Sequence, residues 1–281
     1  MFDRPPKPIS SPDKKNISKE RRKGSLRLWL SNFATFGPAV KDIKITGKEN
    51  IQKIPEGAKI LVMPSHLNDL SVPATIHAVA RDLDLVILNE STHHASGSQG
   101  EPIMKVSMKI AGAEHFLPLD FEKDEKSGEK SPSAFNPENF IPAIEALEKG
   151  KSVLVAAHNP SREPLQNLEG IKGGYGGVYL AELTDAYILP VTVQLSRNVM
   201  DSKNLKTLMN RPNADIVIGE PFKLEKIEGI EKISEIMEKR KSGQKLSDEE
   251  VKEFLRLTNA LREQSEIVMK RLSEQLRTNN E

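Results

Sequence analysis

Seven short apolar runs recur along the chain, and each reads as a strand. They lie at 42–46 (DIKIT), 59–63, 84–88 (DLVIL), 115–119, 152–157 (SVLVAA), 187–194 (YILPVTVQ) and 214–218 (ADIVI). All are of strand length rather than helix length. Helical patterns lie between them. In PENFIPAIEALEKG, Asn136 is placed to cap the start, Pro137 takes the first helical position and Gly150 follows the end. A second pattern is GGVYLAELTD, 176–185. Strands alternating with helices predict an α/β layered domain, with a central, largely parallel mixed sheet flanked by helices.

The two ends of the chain follow other patterns. Residues 1–17 are rich in Pro, Ser, Lys and Asp and predict a disordered basic tail. A helix is expected from Ser18 to about Phe36, basic in SKERRK and apolar in LRLWLSNFATF. A basic start followed by Leu26, Leu28, Trp29, Leu30, Phe33 and Phe36 suits a helix lying in a membrane interface. The same residues also suit a helix packed on the domain. Residues 120–136 form a charged, Ser/Pro-containing loop. Beyond Pro221 the pattern is helical. There Ser247 and Glu250 form a capping box, ahead of an apolar stripe of Val251, Phe254, Leu255, Leu261, Val268, Leu272 and Leu276. The expected organisation is a tail at 1–17, an amphipathic helix at 18–40, an α/β domain at 41–225 and a helical extension at 226–281.

Composition narrows the chemistry. The 281 residues include no cysteine, so disulfides, thiolate metal sites and a cysteine nucleophile are excluded. The net charge of +1 gives no global field for nucleic acid. Residues 1–28 hold nine Lys/Arg against Asp3, Asp13 and Glu20, a local net charge of +6. No apolar run approaches the roughly 20 residues of a membrane span, and the N-terminus has no signal-peptide core. A cytoplasmic protein is expected, peripheral on the inner membrane face.

Of the six histidines, His66 has the strongest context, in SHLNDLSV after the run Ile60–Met63. A strand ending where a helix begins presents backbone amides to an anion. An imidazole there can take a hydroxyl proton while a neighbour holds its other nitrogen. Asp69 and Ser71 are the candidate neighbours; the plain alternative is a turn in which Ser65 or Asn68 caps a helix. The string from His77 to Asp82 is a decoy, since residues five apart lie about 140° apart around a helix. A metal at His93–His94 needs a third ligand, Glu90 or His115, and adjacent residues of an extended chain point apart. In AAHNPSREPLQNLEGIKGGYGG, 156–177, Arg162 and Lys172 can address a phosphate, and Gly170, Gly173, Gly174, Gly176 and Gly177 allow close backbone approach. Neither a GxxxxGK[ST] loop nor a GxSxG elbow occurs, which argues against a P-loop and against a hydrolase built on Ser65 or Ser71.

The order of these blocks resembles the glycerolipid acyltransferase family of lysophosphatidic-acid type. KITGKENIQKIPEGAKILVMPSHLNDLSVP is similar to its G-x-E-N-I-P segment, strand and histidine–aspartate motif, matching at Gly47, Glu49, Asn50, Ile51 and His66. GKSVLVAAHNPSREPLQNLEGIKGGYGGVYLAELTDAYILPVTV is similar to its E-G-T-R-S block and following segments, matching at Arg162, Lys172, Gly174, Ala181, Pro190 and Val191. IVIGEPF resembles its closing strand. The motifs also depart from the family. Ser71 stands where the aspartate falls, Phe121 near the second block's arginine, Asn159 for the glutamate and Ser161 for the threonine. The resemblance implies transfer of a fatty acyl group from acyl-CoA or acyl carrier protein to a lysophospholipid or glycerol phosphate hydroxyl, in phospholipid biosynthesis. His66 would be the base, oriented by Asp69 or Ser71. Asn159, Ser161, Arg162 and Lys172 would hold the acceptor's head group. No metal or cofactor beyond the acyl donor is implied. The expected partners are that donor, the lysophospholipid and a surface of anionic lipid. The alternative is an impaired member that binds lipid or acyl thioester without turnover.

Overall fold

The structure is a computed structural model that describes residues 26–33, 36–67, 70–90, 109–119, 136–158, 167–196 and 211–278. Among the described residues, seven strands form one sheet: β1 (Ile43–Thr46), β2 (Ile60–Pro64), β3 (Leu85–Glu90), β4 (Phe116–Leu119), β5 (Ser152–Leu154), β6 (Tyr187–Leu195) and β7 (Ala214–Ile218). Their order is β1-β7-β6-β2-β5-β3-β4. From β6 to β4 all neighbours are parallel. β7 runs antiparallel to β6, and β1 is parallel to β7. The expected α/β layered domain with a largely parallel mixed sheet is what forms. β2 is buried at all five positions, as a central parallel strand covered on both faces must be.

Among the described residues the longer helices are α1 (26–33), α2 (Ser71–Val79), α3 (Ile141–Glu148), α4 (Tyr175–Thr184), α5 (Lys232–Lys241) and α6 (Asp248–Thr278). Two apolar clusters divide the side chains between the two faces of the sheet. Leu61, Met63 and Val153 pack with α3, α4 and α6. Val62, Leu154, Val191 and Val193 pack with α2 and with Leu28 of α1. Among the described residues no helix is long and apolar enough to cross a membrane.

Local signals place the helix ends well. Asn136 Oδ1 accepts the Glu138 amide at 3.3 Å, with Pro137 next in line, and the chain passes through a 3-10 turn into α3. Gly150 follows α3 at φ 75°, a left-handed geometry that suits glycine. The capping box of α6 closes both ways. The Ser247 amide donates to Glu250 at 2.8 Å, and the Glu250 amide donates to the Ser247 hydroxyl at 3.2 Å. The Lys239 ammonium, and then the Ser247 amide, hold the Glu250 carboxyl below its ordinary range.

The stripe along α6 differs from the expected one. Leu257, Leu261, Val268, Met269, Leu272 and Leu276 are buried, whereas Val251 and Leu255 are exposed. Leu255 lies about 120° around the axis from Leu261, so the two cannot share a face. The G-x-E-N-I block serves the fold. Gly47 has φ 75°, and a Cβ there would lie 2.0 Å from the Ile218 carbonyl oxygen. That same oxygen accepts the Asn50 side-chain amide at 2.8 Å. The block therefore clamps the exit of β1 onto the end of β7.

Candidate functional site

Parallel strands share one carboxyl edge. From β2 the chain passes through α2 to β3, on one side; from β5 it passes through α4 to β6, on the other. The two helices lie on opposite faces, as right-handed crossovers in opposite directions require. The ends of β2 and β5 therefore form the switch point of the sheet, where open α/β folds have their ligand crevice.

His66 and His158 meet there. Val155 and Ala157 extend the β5 pairing beyond the strand proper, their amides donating to Val62 and Pro64 carbonyls at 3.0 Å each. The His66 amide then donates to His158 Nε2 at 2.9 Å. On the other side Ser65 is tied to β6. Its amide donates to the Val191 carbonyl at 2.9 Å, and its hydroxyl accepts the Val193 amide at 3.4 Å. His66 keeps partial exposure while its Nδ1 is buried. That is the arrangement a base needs, with one ring edge inside the protein and the residue still open to solvent.

The other expected site residues fall in different places. Ser71 is the first residue of α2 and fully buried. Asp69, Asn159, Ser161 and Arg162 lie outside the described residues, as do Phe121, His93 and His94. Lys172 is exposed, two residues before the Gly174 N-cap of α4. Ser65 is also fully buried, so neither Ser65 nor Ser71 presents a nucleophile to solvent. His115 is a structural residue whose Nδ1 bonds the Leu85 carbonyl oxygen at 2.7 Å. Asp82 pairs with Lys48 at 3.1 Å, while His77 packs beneath Trp29, Phe33 and Phe36. The His77–Asp82 string is thus no dyad. Among the described residues no cluster of three metal-ligating side chains occurs.

Three of the glycines singled out for phosphate approach have packing duties instead. A Cβ at Gly173 would lie 2.1 Å from Ser265 Oγ, at Gly176 2.5 Å from Phe140 Cζ, and at Gly177 2.6 Å from Met63 Cε. They let the start of α4 descend onto the sheet between α3 and α6. Gly174 then donates its amide to the Ala157 carbonyl at 2.8 Å, which fixes that helix start beside His158.

Sequence reasoning counted His158 but gave it no role. A signal existed: VMPSH and VAAH are two apolar strands each running into a histidine, in neighbouring parallel strands. No protein-family profile matches the sequence, and no curated protein sequence matches it. Among solved structures, the chain is similar to the 1-acyl-sn-glycerophosphate (LPA) acyltransferase PlsC from Thermotoga maritima. Identity is 14%, coverage is 83% of each chain, and the TM-score is 0.49.

Proposed function

We propose that the protein is an O-acyltransferase that moves a fatty acyl group from an acyl thioester to a hydroxyl of a lysophospholipid or glycerol phosphate. The observation that carries the reading is the position of His66. It stands at the switch point of the sheet, partly exposed and with Nδ1 buried, inside the ordered blocks that resemble glycerolipid acyltransferases. In this reading His66 removes the acceptor's hydroxyl proton. The freed oxygen attacks the thioester carbonyl, and the thiolate of CoA or acyl carrier protein leaves. Asp69 or Ser71 holds the buried Nδ1. Asn159, Ser161, Arg162 and Lys172 address the acceptor's phosphate, Arg162 suited to a bidentate grip. The basic N-terminal segment and the exposed Leu26, Leu30 and Phe33 of α1 bring the site to anionic lipid on the inner membrane face.

The departures at Ser71 and Asn159 favour one second reading, a lipid- or thioester-binding protein without turnover. A radiolabelled acyl-CoA and acyl carrier protein assay over a panel of lysophospholipids separates the two. Transfer is expected, falling on the order of 10²–10⁴-fold in His66→Ala. No transfer to any acceptor, or transfer indifferent to His66→Ala, sinks the enzyme.

A further inference from the structure

We propose that His158 is a positioning residue for His66: its uncharged Nε2 supplies the acceptor that the β2–β5 ladder lacks at the residue carrying the base. This rests on the reading of His66 as that base. In a parallel ladder each residue bonds the residues before and after its opposite number. With the Ala157 amide on the Pro64 carbonyl, the next bond would run from the His66 amide to the Ala157 carbonyl. Gly174 takes that carbonyl for the start of α4, at 2.8 Å. The His66 amide turns instead to His158 Nε2, at 2.9 Å.

The chemistry of that bond fixes the state of the ring. A nitrogen that accepts an N–H carries no proton, so His158 is the neutral Nδ1–H tautomer. Protonation would set two N–H groups against each other. The consequence lies in the backbone. Ser65 is pinned to β6 and His66 to the end of β5, so the base is held from both neighbouring strands. The same ring ties His66 to the segment that leads through Lys172 into α4. Displacing a base by about 1 Å can cost on the order of 10²-fold in rate.

Two substitutions separate an acceptor from bulk. His158→Gln keeps an oxygen close to the place of Nε2, whereas His158→Leu keeps apolar volume and removes the acceptor. In the leucine variant kcat is expected to fall about 10- to 100-fold with KM within about twofold, the pattern of a misplaced base rather than lost substrate binding. The glutamine variant should keep most of the activity. Hydrogen exchange reads the bond without catalysis: the His66 amide should be protected in wild type and His158→Gln, and lose at least about tenfold protection in His158→Leu. Nitrogen-15 NMR of the wild-type ring should show Nε2 unprotonated at neutral pH, a readout that needs no variant to fold. A proton on Nε2 would overturn the proposal. So would a leucine variant with wild-type kcat and a protected His66 amide. If wild type transfers no acyl group yet protection follows the acceptor, the enzyme reading falls and the role of His158 stands.

Discussion

The helices on the two faces of the sheet are patterned differently. α6 buries Leu257, Leu261, Val268, Leu272 and Leu276 and turns Lys252, Arg256, Arg262, Glu263, Glu266, Lys270 and Arg271 outward. Val251, Leu255 and Ile267 are scattered exceptions on that outer surface. α1, over the other face, buries Leu28 together with Ser31 and Asn32 and turns apolar residues outward. Leu28 is buried against the sheet, while Leu26, Leu30 and Phe33 are each about half exposed. They follow one another at i, i+4 and i+7, a continuous stripe. A helix that only covers a core has no need of such a stripe. The contrast is the observation behind the proposal that α1 meets lipid.

The contrast breaks first at the stripe itself. Replacing Leu26, Leu30 and Phe33 together by serine should weaken sedimentation with anionic liposomes on the order of 10²-fold, from the lost burial of three half-exposed side chains. Stability to urea should fall by only about 1–2 kcal/mol, because the Phe33 ring also stacks on Trp29 and His77. The matched change on α6, Leu255→Ser, should alter neither. Equal liposome binding by all three proteins would remove any membrane meaning from the comparison.

The opposite face is tested through its close approach. Gly173→Ala would place a Cβ 2.1 Å from Ser265 Oγ and 2.9 Å from Met269 Cγ. A loss of about 1–3 kcal/mol is expected in urea unfolding, the usual range for an overpacked contact. Adding Ser265→Ala should return part of it. A silent Gly173→Ala would mean that α6 does not seat on α4 as described.

The smallest effect concerns how α1 is held. His77 of α2 lies under Trp29, Phe33 and Phe36, and the Arg81 guanidinium stacks 3.7 Å from the Trp29 ring. Burial, then Arg81 and Lys48, keep the His77 pKa below its ordinary 6.5. As the pH falls below that ordinary value the unfolded chain takes the proton first. Stability is thus fully present above it and is lost as the pH falls toward and through the lowered folded value. Melting temperatures taken from about pH 7.5 to about pH 5 should decline less in His77→Phe than in wild type. Identical slopes would show that His77 does not sense the acid range.

The elements were legible because their signals are local. Each of the seven expected strands corresponds to an observed one. The Asn136 cap, the Gly150 stop and the Ser247–Glu250 box stand where the residue types put them. The stripe of α6 was legible in outline and wrong at Val251 and Leu255, since an apolar residue marks a buried face only where a neighbour covers it. The space beside Gly173, Gly176 and Gly177, expected to admit a ligand, is filled by Ser265, Phe140 and Met63. His66 was singled out because strand, turn and helix adjoin in sequence around it. His158 was not, because its partner is 92 residues away.

From the sequence alone come the alternation of strand and helix, the caps, the absence of cysteine chemistry and the prominence of His66. These depend on period, residue type and near neighbours, which a linear text contains. The tertiary structure alone decided that β2 and β5 are adjacent, that the crossovers diverge at their ends, and that the imidazole of His158 takes the His66 amide. Strand order follows from how whole layers bury their faces against one another, and no local pattern encodes it.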